Sequence, residues 1–250
     1  MNLRILNFDI LGSTNTEALD RARSGEEEGL CIIARQQTAG RGRQGRTWVS
    51  EKDAGLYLSL LLRPILEPRF LPLVTLMAGV AVHDTLQSLG IVPDIKWVND
   101  VHVGGKKISG ILAETTETRD GTAVVLGIGI NIRATSIPPE IASTATSIEI
   151  VTGNAVDRSQ LISALLEHIS RFYELLCSPR GGPAIIDEWS RRSTYFSGKH
   201  VRVETTGSVI EGVTDGLEPN GALRVRRADG AIEVIVAGDV TSLRATQRSD

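Results

Sequence analysis

The stretch QTAGRGRQGRTW, residues 37–48, limits the fold more than any other part of the chain. Gly40, Gly42 and Gly45 have the spacing G-x-G-x-x-G. In a dinucleotide-binding fold such glycines close a strand and open a helix. Here a strand pattern, GLCIIARQQ, precedes them, but a second strand pattern, GLYLSLLLRP, follows, and the next helical pattern starts near Phe70. The acids just beyond, Glu51 and Asp53, are too close in sequence for the usual ribose contact. The spacing therefore predicts strand, loop, strand, and a doubly wound nucleotide fold is set aside.

Arg41, Arg43 and Arg46 lie between and just after the glycines. At about 6 Å two such charges repel by roughly 0.7–3 kcal/mol for an effective dielectric between 80 and 20, and the loop contains no acid to offset this. Three glycines also make it costly to order. A solvated loop with arginines for solubility is the plain alternative. The composition of this loop instead predicts a segment that is mobile when empty and closes on an anion, with glycine N–H groups and arginine forks serving phosphate or carboxylate.

The 250 residues are 41% hydrophobic and 23% charged, an ordinary globular profile with room for a sizeable core. The net charge of −3 argues against a nucleic-acid-binding surface and points the arginines towards a small anion. Cys31 and Cys177 are isolated, and His83, His102, His168 and His200 form no ligand pattern, so neither a disulfide framework nor a zinc site is expected. The N-terminus has no signal-peptide layout, and the apolar run near 71–82 reads as too short and interrupted for a membrane span. A cytoplasmic protein is expected.

Along the chain, GSTNTEALDRARSG reads as a helix capped at Thr14 with Glu17 in capping-box spacing, stopping near Gly25. FLPLVTLMAGVAVHDTLQSLG reads as a core helix, PDIKWVND as a strand entering a turn, HVGGKKISGILAET as a hairpin and TAVVLGIGINI as a strand. RATSIPPEIASTATSIE, residues 133–149, is poor in pattern, holds Pro138-Pro139 and reads as a loop. DRSQLISALLEHISRFYELLC is an amphipathic helix with Asp157 as its N-cap, and a short helix follows around 187–192. From about Gly198 short strands alternate with Gly, Asn and Asp turns, predicting a small all-β unit with its boundary near Ser197, hence domains 1–197 and 198–250.

Polar clusters punctuate this frame. Ser13, Thr14 and Asn15 stand at a helix start, where they can cap it or grip a neutral polar head group. KWVND offers Lys96, Asn99 and Asp100, the last a carboxylate able to hold a metal ion. Strict alternation puts Lys107 on the face of Ser109, Ile111 and Ala113, with Gly110 on the other, so its ammonium needs an anion or an exit to solvent. GIGIN supplies Gly127 and Gly129, which let a ligand approach the backbone, and Asn131, whose amide suits a base edge.

The order STN, QxAGRGRxGRxW, KWxND, KKxxGILxE, GIGIN and a closing β unit resembles that of the biotin protein ligases, over essentially the whole chain. The resemblance implies an α+β fold: a mixed sheet with flanking helices, like class II aminoacyl-tRNA synthetases, and a C-terminal SH3-like β-barrel. It implies that biotin and Mg-ATP form biotinyl-5′-AMP, and that a lysine of the biotin carboxyl carrier protein then takes the biotin. Mg2+ is the implied cofactor. Carried over residue by residue, Lys107, Arg41 and Arg43 are catalytic at the carboxylate–phosphate junction. Ser13, Thr14, Asn15 and Gln37 match the biotin-gripping positions, and Gly42, Gly110 and Gly127 the backbone lining biotin. Trp48, Gly129 and Asn131 match nucleotide positions, and Asp100 a group assisting Mg2+ or the incoming lysine.

The family often has proline where Val98 stands, and losing that preset φ is expected to loosen the turn holding Asn99 and Asp100. The segment 133–147 falls where the family has an adenylate-covering loop. Only twelve residues precede Ser13, leaving no room for the DNA-binding region of some members. No DNA partner and no membrane partner are expected, and a monomer is. The rival readings are a lipoate ligase or octanoyltransferase, and a non-catalytic phosphate- or RNA-binding module.

Overall fold

The structure, a computed structural model, describes residues 1–205 and 207–242, so the last eight residues of the predicted C-terminal unit lie outside it. In chain order it forms β1 (Arg4–Leu11), α1 (Thr14–Arg23), β2 (Leu30–Gln37), β3 (Gly55–Leu62), α2 (Leu73–Gln87), β4 (Asp94–Lys96), β5 (Asp100–Val103), β6 (Lys106–Thr118) and β7 (Gly121–Asn131). Then follow α3 (Ile148–Thr152), α4 (Arg158–Leu176), α5 (Gly181–Ser190), β8 (Ser197–Glu204), β9 (Val209–Leu217), β10 (Leu223–Arg226), β11 (Ile232–Ile235) and β12 (Asp239–Ser242).

The first sheet has the order β1-β2-β3-β7-β6-β5-β4. Only the β1–β2 pair is parallel, and β2 pairs antiparallel with β3, as the strand–loop–strand reading requires. Period-2 alternation sorts its central strands. Leu56, Leu58, Leu60 and Leu62 of β3 and Val124, Leu126, Ile128 and Ile130 of β7 join the main core with α2 and α4. On the opposite face Leu61, Ala123 and Val125 pack on Ala18, Leu19 and Ala22 of α1. At about 1.5–3 kcal/mol per fully buried aliphatic side chain, this double burial is the main force holding the sheet. Helix α1 covers one end of its face, and the rest, floored by Gly127 and Gly129, stays open as a cleft.

Several local readings are corrected. Ser13, not Thr14, caps α1: its Oγ accepts from the Thr16 N–H, and Thr14 is turned inward. Strand β1 carries no clean alternation in sequence and was not anticipated; it exists because β2 offers it an edge. Helix α5 begins at Gly181, six residues earlier than expected, and 148–152 is helical, capped by Ser147. The segment Pro68–Gln87 is, contrary to the reading of its sequence, long and apolar enough to cross a membrane by length and composition, but 67% of that window is buried in this core.

The second sheet is antiparallel with order β11-β10-β9-β8-β12, the small β unit expected after Ser197. It is fastened to the first by the Trp97 indole, which donates to the Gly221 carbonyl at 2.9 Å in a buried contact. Gly221 has φ +85°, a turn conformation that favours glycine.

Candidate active site

The open face of the first sheet forms a cleft between α1, the arginine loop and β6. At one end, the start of α1 and the end of β2 build a polar wall. Gln37 Oε1 accepts from the Thr14 N–H at 2.8 Å and from its hydroxyl at 3.1 Å, while Gln37 Nε2 donates to Ser50 Oγ at 2.8 Å. Ser59 Oγ lies 2.7 Å from Thr14 Oγ1 and 2.6 Å from Asn15 Oδ1, and Asn15 Nδ2 donates to the Leu112 carbonyl and to Glu114. Ser13, Thr14 and Asn15 are all under 8% exposed. Such a wall holds its donors and acceptors in fixed directions and suits an uncharged polar group. Ser50, Ser59 and Glu114 belong to it although sequence reasoning assigned them no part; Ser59 stood inside an apolar run, and its polarity there was the available signal.

Gly110, Gly127 and Gly129 line the cleft, and they also make room for the chain's own side chains. A Cβ on Gly127 would lie 2.1 Å from Asn15 Oδ1, and one on Gly129 would lie 2.5 Å from the Trp48 ring. One on Gly110 would meet the same ring at 2.8 Å. The strand backbone is thus approached by the chain's own Asn15 and Trp48, which the missing side chains admit. Trp48 Nε1 is buried without a hydrogen-bond partner among the described residues.

Lys107 is also placed differently. In the β5–β6 ladder Val101 pairs with Ser109 and His102 with Lys107, so Ile108 is an extra, unpaired residue. This bulge reverses the alternation. Lys107 joins the face of Gly110, with its Nζ 5.4 Å from the centre of the Trp48 ring and 2.6 Å from Asp100 Oδ1. The segment 133–147 docks on the same residue: the Lys107 N–H donates to the Thr144 carbonyl, and the Thr146 N–H to the Lys107 carbonyl, both at 2.8 Å.

Each loop arginine has a partner outside the loop, which is how the repulsion foreseen from sequence is relieved. Arg41 pairs with Glu114, Arg46 with Asp239 of β12, and Arg43 Nη1 donates to Asn99 Oδ1 at 3.0 Å. Asn99 is held in turn by β6, donating to the Ile111 carbonyl and accepting from the Ile111 N–H, both at 2.9 Å, so the turn without proline is tied to the sheet. The loop has defined shape: Gly42 N–H donates to the Arg46 carbonyl at 2.7 Å, and Arg41 bridges Thr47.

Beyond Trp48 and Lys107 a second pocket adjoins the first, lined by Lys96, His102, Asn131 and Thr144 among others. Asn131 lies here with Trp48, Lys107 and Asp100, its Nδ2 donating to the Thr146 carbonyl at 3.0 Å. Burial holds the Lys96 ammonium below its ordinary range, against the pull of Asp100. Burial alone would raise the Asp100 carboxyl, but His102, Lys107 and Lys96 outweigh it and hold the group at about 2. Asp100 Oδ1 lies 2.6 Å from Lys107 Nζ, and no group of three metal-ligating side chains occurs among the described residues.

The matches with known proteins agree with this geometry. Residues 8–131 match the Biotin/lipoate A/B protein ligase family and residues 196–241 the Biotin protein ligase C terminal domain. The Biotin--[acetyl-CoA-carboxylase] ligase of Mycobacterium tuberculosis is 36% identical over 240 residues, covering 93% of this chain and 86% of that protein. The chain belongs to the biotin protein ligase family. The Bifunctional ligase/repressor BirA of Bacillus subtilis is 33% identical, over 96% of this chain and 74% of that protein. The structure of the biotin protein ligase from Aquifex aeolicus in complex with biotin and ATP superposes with a TM-score of 0.82 at 30% identity, covering 97% of this chain and 99% of that one.

Proposed function

We infer that the two adjoining pockets carry out ATP-dependent ligation of biotin to a lysine of the biotin carboxyl carrier protein of a biotin-dependent carboxylase. The observation that carries this reading is the position of Lys107, between a wall for a neutral polar head group and a pocket lined by Trp48 and Asn131. The polar wall takes the biotin ring system and directs its carboxylate towards Lys107, Arg41 and Arg43. The carboxylate oxygen bonds to the α-phosphorus of ATP, the bond to pyrophosphate breaks, and biotinyl-5′-AMP results. Two anions must meet for this, and fixed cations in a site shielded from water stabilise the charge on the phosphoryl oxygens.

In the second step the carrier lysine, as a neutral amine, attacks the acyl carbon, AMP leaves and the new amide loses a proton. The arginine loop and the 133–147 segment keep water from the mixed anhydride meanwhile. Mg2+ would enter with the nucleotide and supply a counter-charge to its phosphates, with Asp100 the carboxylate nearest to assist it. We keep the two-domain division at Ser197, where β8 opens the second sheet, and place the reaction in the cytoplasm, in keeping with two unpaired cysteines. Incubation with ATP, labelled biotin and a carrier domain should place label on one carrier lysine. Transfer of lipoate but not biotin, or RNA retention with no acyl transfer, would refute the reading.

A further inference from the structure

The arginine loop meets the polar wall through one carboxylate. Glu114 stands on β6, on the face of Gly110 and Leu112, with its side chain 22% exposed. Its Oε2 accepts from Asn15 Nδ2 at 2.9 Å, and its Oε1 pairs with Arg41 Nη2. Arg41 Nη1 also donates to Thr16 Oγ1 at 3.3 Å, on the first turn of α1. An isolated ion pair at such exposure is worth about 0–1 kcal/mol, too little to place a loop. Here the carboxylate is not free to turn, because Asn15 is 4% exposed and wedged over Gly127. Asn15 orients Glu114, and Glu114 orients Arg41.

Movement of Arg41 does not stay local. The Arg41–Thr47 bridge and the Gly42–Arg46 hydrogen bond close residues 41–47 into one small unit, which also carries Arg43 and Arg46. All three arginines line the cleft beside Trp48 and Lys107, so a shift of the backbone at Arg41 is passed to Arg43 and Arg46.

We propose that Glu114 is a positioning residue that couples occupation of the biotin end of the cleft to closure of the arginine loop over the nucleotide. This rests on the ligase reading above. A ligand that engages Asn15 changes what Glu114 can hold, and the altered setting of Arg41 is passed to Arg43 and Arg46. Coupling of this kind is reciprocal: biotin tightens the nucleotide by the factor by which the nucleotide tightens biotin.

The test is a calorimetric titration of biotin with and without saturating α,β-methylene-ATP, whose bridging carbon prevents adenylate formation. The native protein should show a coupling of about 5–150-fold. Glu114→Gln keeps an oxygen acceptor for Asn15 but removes the charge facing Arg41. It should reduce the coupling at least about fivefold, whatever it does to biotin affinity alone. Arg41→Gln should reduce it similarly, and the double variant no further. If Glu114→Gln weakens biotin equally with and without nucleotide, or leaves the coupling as in the native protein, the proposal is overturned and the residue merely braces Asn15. Failure of the native protein to form biotinyl-AMP from ATP itself would overturn the ligase reading, and the proposal with it.

Discussion

Lys107 Nζ stands 2.6 Å from Asp100 Oδ1 because Ile108 has no partner in β5. Without that bulge the ammonium would point into the aliphatic core beneath the sheet. Lys107→Ala is expected to raise the barrier to biotinyl-AMP formation by about 2–4 kcal/mol, the usual cost of one preorganised electrostatic group. It also leaves Asp100 without its nearest cation, so some stability is lost. Lys107→Ala combined with Asp100→Asn should regain that stability without regaining adenylate synthesis. A double variant with near-normal synthesis would remove Lys107 from the chemistry.

Two strand glycines should fail in different ways. Gly127→Ala drives a methyl group against Asn15, and Gly129→Ala drives one against Trp48. Each overpacks a filled space, at roughly 1–3 kcal/mol of stability. The first should weaken biotin binding and the second nucleotide binding, as separate titrations would show. Equal loss of both ligands in both variants would contradict the division of the cleft.

Acid should unfold the protein through two carboxylates. Asp100 is held at about 2 as described. Asp84 is held at about 2 as well: burial opposes this, and His83 and Arg192 overcome it. Both lie below their ordinary 3.8, so they contribute stability that is present above that value and lost as pH falls towards 2. Each contribution is on the order of 2 kcal/mol. Denaturant titrations from pH 5 to 2 should show this fall, and Asp84→Asn should flatten part of it. A profile that Asp84→Asn leaves unchanged would disprove its share.

Besides a shared apolar core, one buried hydrogen bond joins the two sheets. Trp97→Phe keeps an aromatic ring but leaves the buried Gly221 carbonyl without its partner. A loss of about 1–3 kcal/mol is expected. Hydrogen exchange should quicken in β9 and β10 before it does in β3 and β7; uniform quickening would show that the bond does not join the two units.

Much of this molecule is legible in its residues. The amphipathic period of 158–176, the hairpin at Gly104-Gly105, the doubly buried β3 and the all-β ending each follow from local pattern, because burial and turn chemistry act over a few neighbours. The ordered motifs were enough to identify the family. Local pattern could not show which face Lys107 takes, what fills the space above Gly127 and Gly129, or that Glu114, Asp239 and Asn99 would each hold one loop arginine. Those facts depend on strand register and on contacts between residues tens to nearly two hundred positions apart. One unpaired residue in β6 turns a side chain from one face of the sheet to the other, and only the assembled ladder determines where that residue falls.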